Sequence, residues 1–121
     1  MGRVRRLERS AEDAPVVKIV NLILLNAIRE GAAEIRIVPS QIRLDVDYLL
    51  GIIWTSHMVP PKVMQQGIIA RFKILGRLNL AREDAQQEGQ FRLKIREGEE
   101  QNFRIVIEPT PFGEKVTLRL V

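Results

Sequence analysis

The spacing of apolar residues changes at Gly31, and this change constrains the fold more than any other feature of the sequence. Before Gly31, apolar residues from Val16 to Ile28 recur every three or four positions, which is the period of an amphipathic α-helix. After it, residues 41–48 alternate apolar with polar side chains, which is the period of a half-buried β-strand. A chain that carries both periods in short segments is expected to pack helices against a sheet.

Two helices and six strands are predicted along the chain. The first helix begins at an N-cap, Asp13, and ends at Glu30, and the second follows Pro60-Pro61 and ends at about Leu75. The predicted strands are Glu34–Val38, Gln41–Tyr48, Ile52–Met58, Gln90–Ile95, Asn102–Ile107 and Lys115–Val121. The order α-β-β-β-α-β-β-β predicts an α+β two-layer sandwich, with two helices packed on a largely antiparallel sheet of about six strands.

The length of 121 residues is typical of one domain. Residues 1–13 are polar and charged, and we expect a flexible leader or linker there, followed by a single domain at residues 14–121. The longest apolar stretch, Ile19–Ile28, is interrupted by two asparagines and is too short to cross a bilayer. No apolar core of a signal peptide follows the basic start. We therefore expect a cytoplasmic protein without direct membrane insertion.

The sequence lacks the motifs of common catalytic and metal sites. It contains no cysteine and one histidine, His57, so a thiolate site is excluded and most zinc sites would lack ligands. The nearest approach to a phosphate loop, FGEK at residues 112–115, lacks the glycine spacing and the hydroxyl of that motif. Asp45 and Asp47 share one strand face, the usual arrangement of two solvated carboxylates. We predict no catalytic residue, no metal site and no cofactor.

Basic residues alternate with apolar ones in the three C-terminal strands. If these strands are neighbours, one face of the sheet carries a basic stripe that includes Arg92, Lys94, Arg96, Arg104 and Arg119. Guanidinium groups bind phosphates and carboxylates, so Arg92, Arg104 and Arg119 are candidates for phosphate or partner binding. The few aromatic residues alternate into the core, so we do not expect a nucleic-acid partner.

Three helical residues do not fit the division into an apolar and a polar face. Leu22 and Leu25 fall on the polar side of the first helix. Such leucines are either scattered surface residues or a contact for another domain or subunit, and we take these two as interface candidates. Arg71 falls in the middle of the apolar face of the second helix, so we expect it to pair with a carboxylate or a carbonyl oxygen.

Several segments, in order along the chain, resemble the second N-terminal subdomain of type II secretion and type IV pilus assembly ATPases. Residues 14–21 read APVVKIVN, where the family has APVVKLVN. Residues 70–75, ARFKIL, resemble the family's SRIKIMA, and residues 113–119, GEKVTLR, resemble its HGEKVVLRIL. The resemblance covers about residues 14–121, nearly the whole chain.

The sequence departs from this family mainly at polar positions. The family's DIHIEP segment is EIRIVP at residues 34–39. Its RRLPQDGR loop, whose arginines lie near the nucleotide in the family, is EDAQQEGQ at residues 83–90. The arginines that remain at matching positions are Arg104 and Arg119. The resemblance therefore implies a copy that keeps the fold and has lost most of the phosphate contacts.

The resemblance implies a non-catalytic N-terminal module of a secretion or pilus motor. Such a module acts through contacts with an ATPase core or with neighbouring subunits of a hexameric assembly. An alternative is a nucleotide- or phosphate-binding sensor that uses Arg92, Arg104 and Arg119. A third hypothesis is a structural interaction protein that shares only the fold. A downstream phosphate loop in the same reading frame would distinguish the first hypothesis from the third.

Overall fold

The computed structural model describes residues 2–121, which form three helices and six strands. The helices are α1 (Gly2–Glu12), α2 (Ala14–Glu30) and α3 (Gln65–Leu75), and a 3₁₀ turn at Lys62–Met64 precedes α3. The strands are β1 (Glu34–Pro39), β2 (Leu44–Leu50), β3 (Ile53–Met58), β4 (Gln87–Arg96), β5 (Glu99–Thr110) and β6 (Gly113–Leu120). The strands form one sheet in the order β3-β2-β1-β6-β5-β4.

Every neighbouring pair of strands in this sheet is antiparallel, which confirms the predicted α+β sandwich. The sheet consists of two three-stranded meanders, β1–β3 and β4–β6, joined by the pairing of β1 with β6. Ile35 lies opposite Leu118 and Ile37 opposite Val116 across this junction, and all four side chains are fully buried. The junction therefore lies in the middle of the core.

The core lies between one face of the sheet and the helices. Strands β1, β2, β5 and β6 bury alternate side chains, as the period of two requires. Helix α2 contributes buried apolar residues at helical spacing and ends at Gly31, whose φ of 72° favours glycine. Ile42 was expected to face the core, but it is 79% exposed because it precedes β2 in a bend. The alternation of buried and partly exposed side chains in β2 therefore begins at Leu44.

Strand β4 begins at Gln87, three residues before its predicted start at Gln90. The side chain of Gln87 contacts the polar backbone of the preceding loop: it accepts a hydrogen bond from the Asn79 backbone N–H and donates to the Asn79 and Arg82 carbonyl oxygens. Gly89 lies so close to the end of α3 that a Cβ atom there would come within 2.7 Å of the Gly76 carbonyl oxygen. The contacts of Gln87 and Gly89 are tertiary, so the local sequence did not reveal the earlier start of β4.

The expectation of a flexible leader is wrong for residues 2–12, which form helix α1. Leu7 and Ala11 of α1 are buried in a small cluster with Ala70 of α3. Arg3 forms an ion pair with Glu83 and donates a hydrogen bond to the Ala81 carbonyl oxygen. The sequence of this segment is mostly polar because only one narrow side of the helix is buried. The described fold therefore has three α-helices, where the sequence predicted two.

The packing of α1 can be tested by truncating its buried leucine. Leu7→Ala should lower the free energy of unfolding by about 2 kcal/mol, because it removes buried apolar volume. Val4→Ala on the exposed side of the same helix should change it by less than about 0.5 kcal/mol. Urea denaturation of both variants measures this difference, and equal stabilities would mean that α1 does not pack.

Candidate functional site

The helices cover one face of the sheet, and the opposite face carries the predicted arginines. The strand register places Arg104 of β5 directly opposite Arg119 of β6, with both side chains exposed. Arg92 of β4 lies on the same face. It follows Gln90, the β4 residue opposite Arg104, by two positions, and it lies opposite Asn102. The three candidate residues are thus brought to one surface, although only Arg104 and Arg119 are direct cross-strand neighbours.

The two cross-strand arginines differ from Arg92 in their charge partners. Arg92 lies 3.6 Å from a carboxylate oxygen of Glu100. Among residues 2–121, no ion pair involves Arg104 or Arg119. Glu34 of β1 lies opposite Arg119 in the strand register but forms no ion pair with it. Like charges directly opposite each other destabilise a sheet. This pair of guanidinium groups is therefore available for an anionic group from outside the domain.

The charged side chains on the other half of the open sheet face are paired with one another. Asp47 accepts a hydrogen bond from Nε of Arg36 at 3.2 Å, and this guanidinium stacks over the ring of Trp54 at 4.1 Å. Asp45 pairs with Arg43 at 3.1 Å. The sheet face is thus divided into a basic half and a half in which the charges neutralise one another.

A shallow apolar groove lies along α2 on the side away from the sheet. It has a volume of about 550 Å³ and is lined by Glu12, Ala14, Val17, Lys18, Asn21, Leu22 and Leu25. Leu22 is 40% exposed and Leu25 is partly exposed. The structure therefore places the two predicted interface leucines side by side in one groove.

The most buried charged group of the domain was missed by the sequence analysis. Lys73 of α3 is 1% exposed, and its ammonium lies 2.8 Å from a carboxylate oxygen of Glu114 at the start of β6. The same ammonium donates to the carbonyl oxygens of Leu80 and Arg82. Burial raises the pKa of Glu114, and the hydrogen bond and charge of Lys73 oppose that effect.

Arg71 was expected to be the paired charge on α3, and this prediction is wrong. Its Nε atom is buried without a hydrogen-bond partner among the described residues. Lys73 follows Ile69 by four residues, so it lies on the same buried side of the helix. Glu114 precedes Val116 by two residues, which is the core-facing phase of β6. Extending the predicted strand, Lys115–Val121, by one residue would have included Glu114.

His57 lies beside Tyr48, whose side chain contacts helix α2. The two rings stack with their centroids 4.3 Å apart, and Nδ1 of His57 lies 3.9 Å from a carboxylate oxygen of Glu30. The Tyr48 hydroxyl donates to the Ile23 carbonyl oxygen, and burial raises the pKa of this tyrosine. Through these contacts, Tyr48 of β2 and His57 of β3 pack against α2.

Residues 2–121 contain no group of three or more histidine, aspartate or glutamate side chains that could hold a metal ion. None of the helices in the same range is long and apolar enough to cross a membrane.

The family model described as "Type II/IV secretion system protein" matches residues 9–121. The chain belongs to this family. It is 36% identical over 118 residues to the type IV pilus assembly ATPase PilB of Myxococcus xanthus, an alignment that covers 98% of this chain and 21% of that protein. It is 33% identical to the type II secretion system protein E of Xanthomonas campestris, again over 98% of this chain and 21% of the relative.

A third relative, the type IV pilus assembly ATPase TfpB of Acinetobacter baylyi, is 35% identical over 91% of this chain and 19% of its own length. The chain thus spans about a fifth of the length of these relatives. The family membership confirms the resemblance drawn from the residues. The basic pair and the α2 groove are therefore features of a domain that belongs to the secretion family.

The buried ion pair should show strong energetic coupling. Lys73→Met leaves the Glu114 carboxylate buried and unpaired, and should lower the free energy of unfolding by about 3 kcal/mol. Glu114→Leu should cost a similar amount, because the ammonium then loses its counter-charge. The double variant should recover about 2 kcal/mol of the summed loss.

Chemical denaturation of the three variants gives this coupling energy. An Arg96→Met and Glu99→Leu cycle serves as the control, because this pair is exposed and should couple by less than about 1 kcal/mol. Additive effects at Lys73 and Glu114 would show that their ion pair does not stabilise the fold.

Proposed function

We propose that this domain is a non-catalytic N-terminal module of a type II secretion or type IV pilus assembly ATPase. It acts in the cytoplasm through contacts with the ATPase core or with neighbouring subunits of a hexameric motor, in protein export or pilus biogenesis. Its membership of the secretion family over residues 9–121 supports this role. So does the naming of two relatives as type IV pilus assembly ATPases.

The observation that carries the proposal is the groove of Leu22 and Leu25 on α2. A large apolar side chain that is 40% exposed within a groove of similar residues gains free energy when a partner covers it. Partner contacts of this kind concentrate their energy in a few central apolar side chains. The groove lies on the helical layer, so it leaves the open sheet face free for a second contact.

A chimaera tests this role directly. In it, residues 1–121 replace the matching segment of the Myxococcus xanthus pilus ATPase. The chimaera should hydrolyse ATP, and Leu22→Glu with Leu25→Glu should lower that rate about tenfold, because a buried contact then contains two unpaired charges. Phosphate release and the mass of the assembled oligomer are the measurements.

The matched control is Ile52→Glu, which places the same charge at an apolar residue that is 95% exposed in the β2–β3 turn. This variant should keep the activity of the parent chimaera. An inactive parent chimaera, or a groove variant as active as the control, would contradict the proposal.

A second candidate function is a nucleotide or phosphate sensor. The observation that favours it is the cross-strand pair of Arg104 and Arg119. Among the described residues, no carboxylate forms an ion pair with either arginine. Two guanidinium groups on adjacent strands can bind the oxygens of one phosphate. Arg92 would lie at the margin of such a site.

Isothermal titration of the 121-residue chain with ATP, ADP and a cyclic dinucleotide separates the two functions. A contact module should give no heat of binding. A sensor should bind in the micromolar range and lose about tenfold in affinity in Arg104→Ala, because one charged hydrogen bond contributes roughly 1.4 kcal/mol. Arg5→Ala on α1 removes the same charge from a distant exposed position and serves as the control.

A further inference from the structure

A cavity at the end of the sandwich continues into a cleft along helix α1. The cavity has a volume of about 530 Å³ and opens where α1, α3 and the β5–β6 turn meet. Leu7 and Gln66 line both the cavity and the cleft, so the two form one continuous surface. Arg3, Arg6 and Arg9 of α1 also line the cleft. A recess in the surface and a row of arginines therefore adjoin each other.

The cavity has an apolar floor and an apolar rim. Leu7, Ile69 and Ala70 form the floor, since each lines the cavity and is almost completely buried. Val63 and Phe112 lie at the rim, where they are 90% and 50% exposed. Exposed apolar side chains beside a recess gain free energy when an apolar group covers them. The cavity therefore favours the insertion of an apolar side chain between Val63 and Phe112.

The carboxylates that line the cavity already have basic partners. Glu114 lies 2.8 Å from the Lys73 ammonium, and both side chains are buried. Glu83 forms an ion pair with Arg3 of the cleft. No other carboxylate of residues 2–121 lines the cavity or the cleft. The negative charges of this surface are thus neutralised within the domain.

Two cations of the cleft have no such partner. Arg6 and Arg9 are exposed, and no ion pair among residues 2–121 involves either of them. They are three positions apart on α1, so their side chains are neighbours on the helix surface. Two adjacent guanidinium groups without counter-charges favour a ligand that carries carboxylate groups.

A third cation, Lys62, lies in the cavity. Its ammonium makes short hydrogen bonds to the Ser40 carbonyl oxygen and to the side-chain oxygen of Gln65. Its third contact, with the Arg43 carbonyl oxygen, is 3.5 Å long and therefore weak. All three partners are uncharged. The third N–H donor of Lys62 is therefore available to a carboxylate that enters from solvent.

The unpaired cations thus form two groups with apolar lining between them. Lys62 lines the cavity but not the cleft, whereas Arg6 and Arg9 line the cleft but not the cavity. A lipid carries its negative charge at one end, so it would match only one of the two groups. A peptide segment with acidic side chains before and after a large apolar one matches both groups and the recess.

We propose that this surface docks a segment of a partner protein in which acidic residues flank a large apolar side chain. The apolar side chain enters the cavity and covers Val63 and Phe112. Carboxylates on its two sides pair with Lys62 and with the arginines Arg6 and Arg9. The surface is separate from the basic sheet face and from the α2 groove, so this contact does not depend on the proposed role of that groove.

Three end-blocked hexapeptides test which features the ligand needs. The sequence DELFED has both, DESSED lacks the apolar side chains, and NQLFQN lacks the charges. Titration of the ¹⁵N-labelled 121-residue chain with DELFED should shift the amide resonances of Val63, Gln66 and Gly113. This peptide should bind about tenfold more tightly than either of the others. Equal binding of the three peptides, or shifts confined to the basic sheet face, would overturn the proposal.

Charge variants locate the carboxylate contacts. Arg6→Ala with Arg9→Ala should weaken the binding of DELFED about tenfold, because two exposed charge pairs are lost. Lys18→Ala with Arg29→Ala is the matched control, since it removes two positive charges from exposed positions of α2. The control should bind the peptide as the wild type does. Equal affinities of the two double variants would contradict the proposal.

A rim variant locates the apolar contact. Val63→Glu replaces a side chain that is 90% exposed, so the core stays intact. It should weaken the binding of DELFED about tenfold, because a carboxylate at the rim repels the peptide. Ile52→Glu at the distant β2–β3 turn introduces the same charge and should have no effect. Unchanged affinity in Val63→Glu would show that the peptide does not enter the cavity, which would also overturn the proposal.

Vesicles of phosphatidylglycerol test a membrane as the alternative partner. The 121-residue chain should not sediment with them under the conditions in which DELFED binds. Sedimentation that is lost in the double variant of Arg6 and Arg9, without binding of the peptide, would assign this surface to an anionic membrane and overturn the proposal.

Discussion

The pairing of β1 with β6 is the interaction on which the rest of the structure depends. It joins two local meanders, and each meander alone offers only three strands to the helices. The fully buried pairs Ile35–Leu118 and Ile37–Val116 bring both halves under one helical layer. Helix α2 can then pack on β2, and α3 can pack on β6. The buried Lys73–Glu114 pair joins α3 to the first residues of the same strand, β6.

Much of this architecture could be predicted from the sequence, because apolar period and turn residues encode it locally. The period around Val16–Ile28 and the stop at Gly31 predicted α2, and alternation together with turn residues predicted the six strands. The failures have a common physical cause. Helix α1 buries only Leu7 and Ala11, and Lys73 and Glu114 are buried because they face each other across two elements. The period places Lys73 and Glu114 on buried faces, but only the tertiary structure shows that they meet.

The surfaces were predicted less completely than the core. Register brought Arg104 and Arg119 together as the alternation implied, but Arg92 also contacts Glu100 across the β4–β5 hairpin. Leu22 and Leu25 could be assigned to the polar side of α2 from helical geometry alone. The groove they share also needs Glu12 at the end of α1, which was expected to lie in a flexible leader. The family membership then sets the context in which these surfaces act.

The basic residues of β4 have a further consequence for the behaviour of the domain in solution. Strand β4 is an edge of the sheet and is ten residues long, so its free backbone groups could pair with the same edge of another copy. Arg92, Lys94 and Arg96 place positive charges along this edge, and two such edges would repel each other on approach. The same charges that suggest a binding surface thus also protect an exposed strand from aggregation.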